Sequence, residues 1–214
     1  MTTSDLTEAD ALIERLKRGD ERVLADLFSL YRGPLARMID LRLDPRLNGR
    51  VSASDVLQEA YLDAAKRVQH FLAKPGMPFF VWLRLIAGQR LIDVHRQHLG
   101  AQMRAAGQEI SINRDGSPGA SSVCLAQHLI GNLTSPSEAA QRVEVAAKLE
   151  DALNSLDPID REVLSLRHFE ELSNRETAEI LGIETSAASK RYLRALERLK
   201  DVLGALPGML EESV

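Results

Sequence analysis

Apolar residues recur along most of this chain at three- and four-residue intervals, the period of a helix with one buried face. Leu12, Ile13 and Leu16 mark a first helical segment, with Thr7 placed to cap it and Gly19 to end it. Val23, Leu24, Leu27, Phe28 and Tyr31 mark a second, running from about residue 20 to Gly33-Pro34, where the proline's missing amide predicts a break. After Asn48-Gly49, Ser52 or Ser54 can open a third helix with Val56, Leu57, Ala60, Tyr61, Ala64 and Val68 as its stripe. Lys74 to Pro78 reads as a turn. From Phe79 to about Ala105, the positions Leu83, Ile86, Ala87, Leu91 and Val94 predict one long helix.

That regularity lapses between Gly107 and Thr134, where Asn113 to Ser122 has the composition of turns and linkers. A structureless stretch of this length is unusual inside one compact domain, so an interdomain linker over 105–134 is expected. Order resumes at Ser135-Pro136-Ser137-Glu138, a cap with a proline at the first helical position. Asp157-Pro158 repeats that logic, and Ser173 with Glu176 makes a capping box. No strand alternation and no internal repeat appear. The expected fold is all-α: two small helical domains, 8–104 and 135–206, joined by a flexible linker.

Composition agrees with a folded helical chain: 44% hydrophobic, 27% charged and only 4% aromatic over 214 residues. Cys124 is the single cysteine, so an intrachain disulfide is excluded and a reducing cytoplasm is the expected compartment. The acidic first residues lack the basic-then-apolar order of a signal peptide. The longest apolar run, Phe79 to Ala87, is interrupted by Arg84 and is too short to insert in a membrane.

The net charge of −4 conceals two basic stretches. One holds Arg84, Arg90, Arg96 and Arg104 with His95 and His98; the other holds Lys190, Arg191, Arg194, Arg198 and Lys200. Local basic surfaces on an acidic body are compatible with DNA contact at two places. The segment from Ser173 to Lys200 is the more informative. A capped helix over 174–181 ends at Gly182, a second helix begins near Thr185, and Ala178 permits close helix crossing. This pattern predicts a helix-turn-helix whose second helix enters the major groove. Ala188, Tyr192, Ala195 and Leu199 fall on one face of that helix. Ala187, Arg191, Arg194 and Arg198 fall on another, flanked by Ser186 and Lys190.

Five longer runs bear on identity. Leu156 to Arg167, Leu172 to Ile183 and Lys190 to Ala195 resemble the C-terminal domain of extracytoplasmic-function sigma factors. Asp55-Val-Leu-Gln58-Glu59-Ala-Tyr-Leu62 looks like that family's core-polymerase-binding helix, and Phe80 to Arg96 like its −10-recognition helix. The resemblance covers nearly all of the chain except about 105–135 and the last few residues. It implies a protein that binds core RNA polymerase at its clamp and flap regions and directs promoter-specific initiation, assisting −10 melting. Asp55, Gln58 and Glu59 would face polymerase; Arg84, Arg90, His95 and Arg96 would face the −10 element. Ser186, Ala187, Lys190, Arg191, Arg194 and Arg198 would face the −35 element, while Trp82 and Ile86 would build core. An anti-sigma factor is an expected partner by resemblance alone, and the free protein is expected to be a monomer. Gly88-Gln89 and Ala187-Ala188 depart from the family's usual pairs.

Other chemistries fit less well. His95 and His98 with Cys124 and His128 could in principle hold zinc, but the pairs lie far apart with no Cys-x-x-Cys. No phosphate loop and no nucleophile–base pattern stand out, so neither enzyme activity nor a metal or cofactor is expected. The alternative is a stand-alone helix-turn-helix regulator that binds operator DNA without polymerase.

Overall fold

The computed structural model describes residues 3–74, 76–105, 119–133 and 139–204. The chain divides into two compact units, Met1–Pro118 and Gly119–Val214. The expected cap at Ser135 and the tail beyond Gly204 lie outside the described residues.

The first unit contains α1 (Thr3–Lys17), α2 (Val23–Asp40), α3 (Ala53–Ala73) and α4 (Phe79–Ala105). Helix α1 begins four residues before Thr7, so that residue lies inside the helix and is not its cap. Gly19 does end the segment's turn, at φ 91°, where a side chain would be strained. Helix α2 continues through Gly33-Pro34 to Asp40, against the expected break. The apolar stripe resumes beyond the proline at Leu35, Met38 and Ile39, all wholly buried. Burial of three large side chains outweighs the roughly 3 kcal/mol helix penalty of one proline. Ser52 opens α3 through a reciprocal cap with Asp55. Aromatic rings join the helices: Phe28 meets Tyr61 at 5.2 Å, Tyr31 meets Phe80 at 5.1 Å, and Phe71 stacks on Trp82 at 4.6 Å. Trp82 is thus a core-side residue, as expected.

The second unit contains α5 (Ser122–Leu133), α6 (Ala139–Ser155), α7 (Pro158–Leu164), α8 (Asn174–Leu181) and α9 (Thr185–Gly204), with a π-helical turn at Ser165–Phe169. Helix α5 occupies part of the stretch expected to be a structureless linker. Leu125, Ala126, Leu129 and Ile130 form its buried stripe, and it packs on α6. Polar fasteners reinforce the docking: Ala120 N donates to Glu162 Oε2 at 2.9 Å, and Ser122 Oγ to Asn154 Oδ1 at 2.7 Å. The stripe was present in the sequence, but the turn-forming residues ahead of it hid a helix only twelve residues long.

If α5 belongs to this unit, Leu125→Ala should lower the unfolding free energy by about 2–5 kcal/mol, as for other fully buried leucines. Chemical denaturation of the full chain measures this, and a loss under about 1 kcal/mol would make α5 peripheral.

Candidate nucleic-acid interface

In the second unit the turn between α8 and α9 is built from local chemistry. Ser173 N and Oγ both donate to Glu176 Oε2, at 2.9 and 2.6 Å, and Glu176 N donates back to Ser173 Oγ at 3.2 Å. Gly182 adopts φ 60°, ψ 40°, which closes α8 while Ile183 N donates to Ala178 O at 3.0 Å. Asn174, which the sequence reading passed over, then ties the two helices together. Its Nδ2 donates to Thr185 O and to Ser189 Oγ, both at 2.8 Å. An Asn directly after a helix cap and beside a second helix start was the available signal. The result is a helix-turn-helix with Ala188, Ala195 and Leu199 buried and Tyr192 half-buried, its ring 5.1 Å from the Arg167 guanidinium.

The arginine row of α9 is placed differently from expectation. Arg191 Nη1 donates to Asp160 Oδ1 at 2.6 Å, and Arg194 donates through Nε to Oδ2 at 2.7 Å and through Nη2 to Oδ1 at 3.0 Å. Arg198 Nη1 donates to Ser155 O at 3.2 Å. These side chains run along the flank of α9 against the α6–α7 corner instead of standing on its outer face. The cause is Asp160, whose side chain is only 5% exposed and needs cationic donors at that depth. The same contact holds the Arg194 guanidinium above its ordinary pKa. Ala187 is half-buried on this flank, and Arg194 keeps half its side chain in solvent. The outermost line of α9 runs instead through Ser186, Lys190, Leu193 and Glu197, all exposed.

Helix α4 departs further. Arg84 is wholly buried and His95 is 4% exposed, so neither faces outward as expected. Both sit within about 40° of Leu91 around the helix, on its buried stripe. That spacing, seven residues from Arg84 to Leu91 and four more to His95, is the sequence signal for their burial. His95 Nε2 accepts from Asp44 N at 3.2 Å, and burial pushes its pKa down, favouring the neutral ring that this bond requires. Arg90 is partly exposed and reaches Asp63 on α3, with Nε to Oδ2 at 2.7 Å. That hydrogen bond holds the Asp63 carboxyl below its ordinary range. Arg96 is exposed, on the same outward side as Gln89 and Asp93, which are themselves joined at 3.3 Å.

On α3 the three residues expected to meet polymerase, Asp55, Gln58 and Glu59, are all exposed. Asp55 also has a structural task, because its Oδ2 accepts from Ser52 N at 2.8 Å and from Ser52 Oγ at 2.7 Å. These bonds lower its pKa. Leu62, one turn further along the same face, is 53% exposed. An apolar residue outside the core stripe of α3 was the signal for it.

Comparison with known proteins matches the family described as sigma-70, region 4, over residues 146–199. RNA polymerase sigma-H factor of Pseudomonas aeruginosa is 27% identical across 91% of this chain and 93% of its own length. ECF RNA polymerase sigma factor SigD of Mycobacterium bovis is 28% identical across 92% of this chain and 84% of its own. The chain resembles extracytoplasmic-function sigma factors over nearly its whole length. Among solved structures, CnrH in complex with the cytosolic domain of CnrY shares the fold, with TM-score 0.52 and 20% identity over 91% of this chain and 96% of that one. The region 4 match runs from within α6 to within α9, so the Asp160 clamp and the turn of the helix-turn-helix lie inside it, whereas α5 lies outside. No helix among the described residues is long and apolar enough to cross a membrane.

Two ion-pair predictions follow from this geometry. Asp160→Ala should lower Tm by about 5–10 °C, because two guanidiniums lose their shared acceptor; an unchanged Tm would make the clamp incidental. Asp63 has a lowered folded-state pKa, so its contribution is complete above the ordinary carboxylate value of about 4 and is lost as pH falls through the lowered value. The Tm gap between wild type and Asp63→Asn should therefore be constant above about pH 5 and shrink below about pH 4.

Proposed function

We propose that this sigma factor binds core RNA polymerase with its first unit at the clamp and its second at the flap, and so brings both units to promoter DNA. The observation that carries this reading is the pairing, in one chain, of a helix-turn-helix with a separate helical unit whose α3 presents Gln58, Glu59 and a half-exposed Leu62. An exposed leucine beside polar side chains suits a protein partner, because its burial adds affinity while the polar neighbours set orientation. Asp55 supports this surface by capping α3.

In the first unit, Arg96, Gln89 and the exposed part of Arg90 form the side of α4 offered to the −10 element. Arg84 and His95 act from beneath it, as parts of the core that hold the helix. In the second unit the −35 element meets Ser186 and Lys190, with Arg194 at the flank. Arg191 and Arg198 position the helix. Each unit binds DNA weakly by itself; attachment to one polymerase raises the effective concentration of each for its element. The protein works in the cytoplasm, and an anti-sigma factor that covers one of these faces would switch it off. The protein acts as an initiation factor and performs no bond chemistry itself.

The test is co-elution of the full chain with core polymerase, followed by transcription from the DNA upstream of its own gene. Co-elution and polymerase-dependent initiation are expected. Tight binding to bare duplex without polymerase would support a stand-alone regulator. The triple variant Gln58→Ala, Glu59→Arg, Leu62→Asp should weaken the polymerase complex about tenfold or more, with an unchanged melting curve. Lys190→Ala should reduce the salt slope of promoter binding by about 1.

A further inference from the structure

We infer that Leu193 is a specificity-determining residue that reads the 5-methyl group of a thymine in the −35 element. The inference rests on the proposed docking of α9 in the major groove and adds what that groove contact selects.

Three large apolar side chains among the described residues stay more than half exposed: Leu62, Val143 and Leu193, the last at 59%. Leu193 alone belongs to the second helix of the helix-turn-helix, and its position around that helix is well determined. Ala188, Ala195 and Leu199 fix the buried side. Asn174 holds the first turn of α9 through Thr185 O and Ser189 Oγ. Asp160 and Ser155 O draw Arg191, Arg194 and Arg198 to one flank. What remains on the outer line is Ser186, Lys190, Leu193 and Glu197.

The edges of base pairs in the major groove are polar with one exception, the thymine methyl. A leucine at the centre of a groove-facing line therefore has one apolar partner to find there. Lys190 and Leu193 are separated by about 4.5 Å along the helix, close to one base-pair step of about 3.4 Å. The thymine read by Leu193 thus lies within one or two base pairs of the position where Lys190 meets the duplex. The arginine clamp matters to this assignment, since freed arginines on the outer line would cover the leucine.

The experiment uses holoenzyme assembled from the full chain and core polymerase, on promoters enriched from a library randomised across the −35 region. Each thymine there is replaced singly, on either strand, by deoxyuridine, which removes the methyl and preserves pairing. With wild type, one thymine should be sensitive, its replacement lowering promoter binding about fourfold. Leu193→Ala should bind the thymine promoter more weakly by the same factor and lose the sensitivity. Lys190→Ala should weaken binding yet keep it. Sensitivity at no thymine, or equal sensitivity in Leu193→Ala, would overturn the inference while leaving the sigma-factor reading intact. A Leu193→Ala protein that loses polymerase affinity but keeps the thymine effect would assign the leucine to a protein contact instead. Failure of wild-type holoenzyme to select any promoter would overturn both.

Discussion

Asp160 is a carboxylate held almost out of solvent at the start of α7, and the geometry of the second unit follows from the need to neutralise it. A buried charge of this kind persists only if donors reach it from a fixed direction. Arg191 and Arg194 are those donors, one helical turn apart on α9, and together they set how α9 is rotated against α7. Asn174 sets the other end by bonding to the first turn of α9. With rotation fixed at both ends, the outer line of the helix is determined, and so is the chemistry it offers to DNA. The guanidiniums that look most like phosphate contacts in the sequence are engaged by acceptors of the protein itself along the flank of α9.

The first unit uses its polar residues in the same way. Arg90 joins α4 to Asp63 on α3, and His95 joins α4 to the backbone of Asp44 beyond α2. In a helical unit this small, much of every helix is within reach of a neighbour, so a basic residue has two competing uses. Which one prevails depends on whether its angular position falls near the buried stripe. Arg84 and His95 fall on it, and Arg96 falls opposite. The outward chemistry of α4 is consequently more mixed in charge than its sequence suggests, with Gln89 and Asp93 beside Arg96.

Helix α5 changes where the second unit begins. Docked on α6 and fastened by Glu162 and Asn154, it makes residues from Gly119 onward part of that unit. Its stripe is short, and a short stripe becomes a helix only where another surface is present to bury it. The same reasoning covers α2 beyond Pro34. Local propensity argued for a stop there, and burial of Leu35, Met38 and Ile39 against the other helices prevailed.

The division between sequence and tertiary structure is therefore physical. Signals that act within a few residues were legible: the capping boxes at Ser52 and Ser173, the left-handed turn at Gly182, the extent of α4, and the helix-turn-helix itself. Each is satisfied by atoms close along the chain, so the local sequence suffices to specify it. The partners of charged side chains were a different matter. Asp160 and Arg194 are separated by 34 residues, and Asp63 and Arg90 by 27. Whether an arginine stands in water or folds back on a buried carboxylate depends on which helix passes beside it. Only packing decides that, because the desolvation that makes the pairing obligatory does not exist until the helices have met.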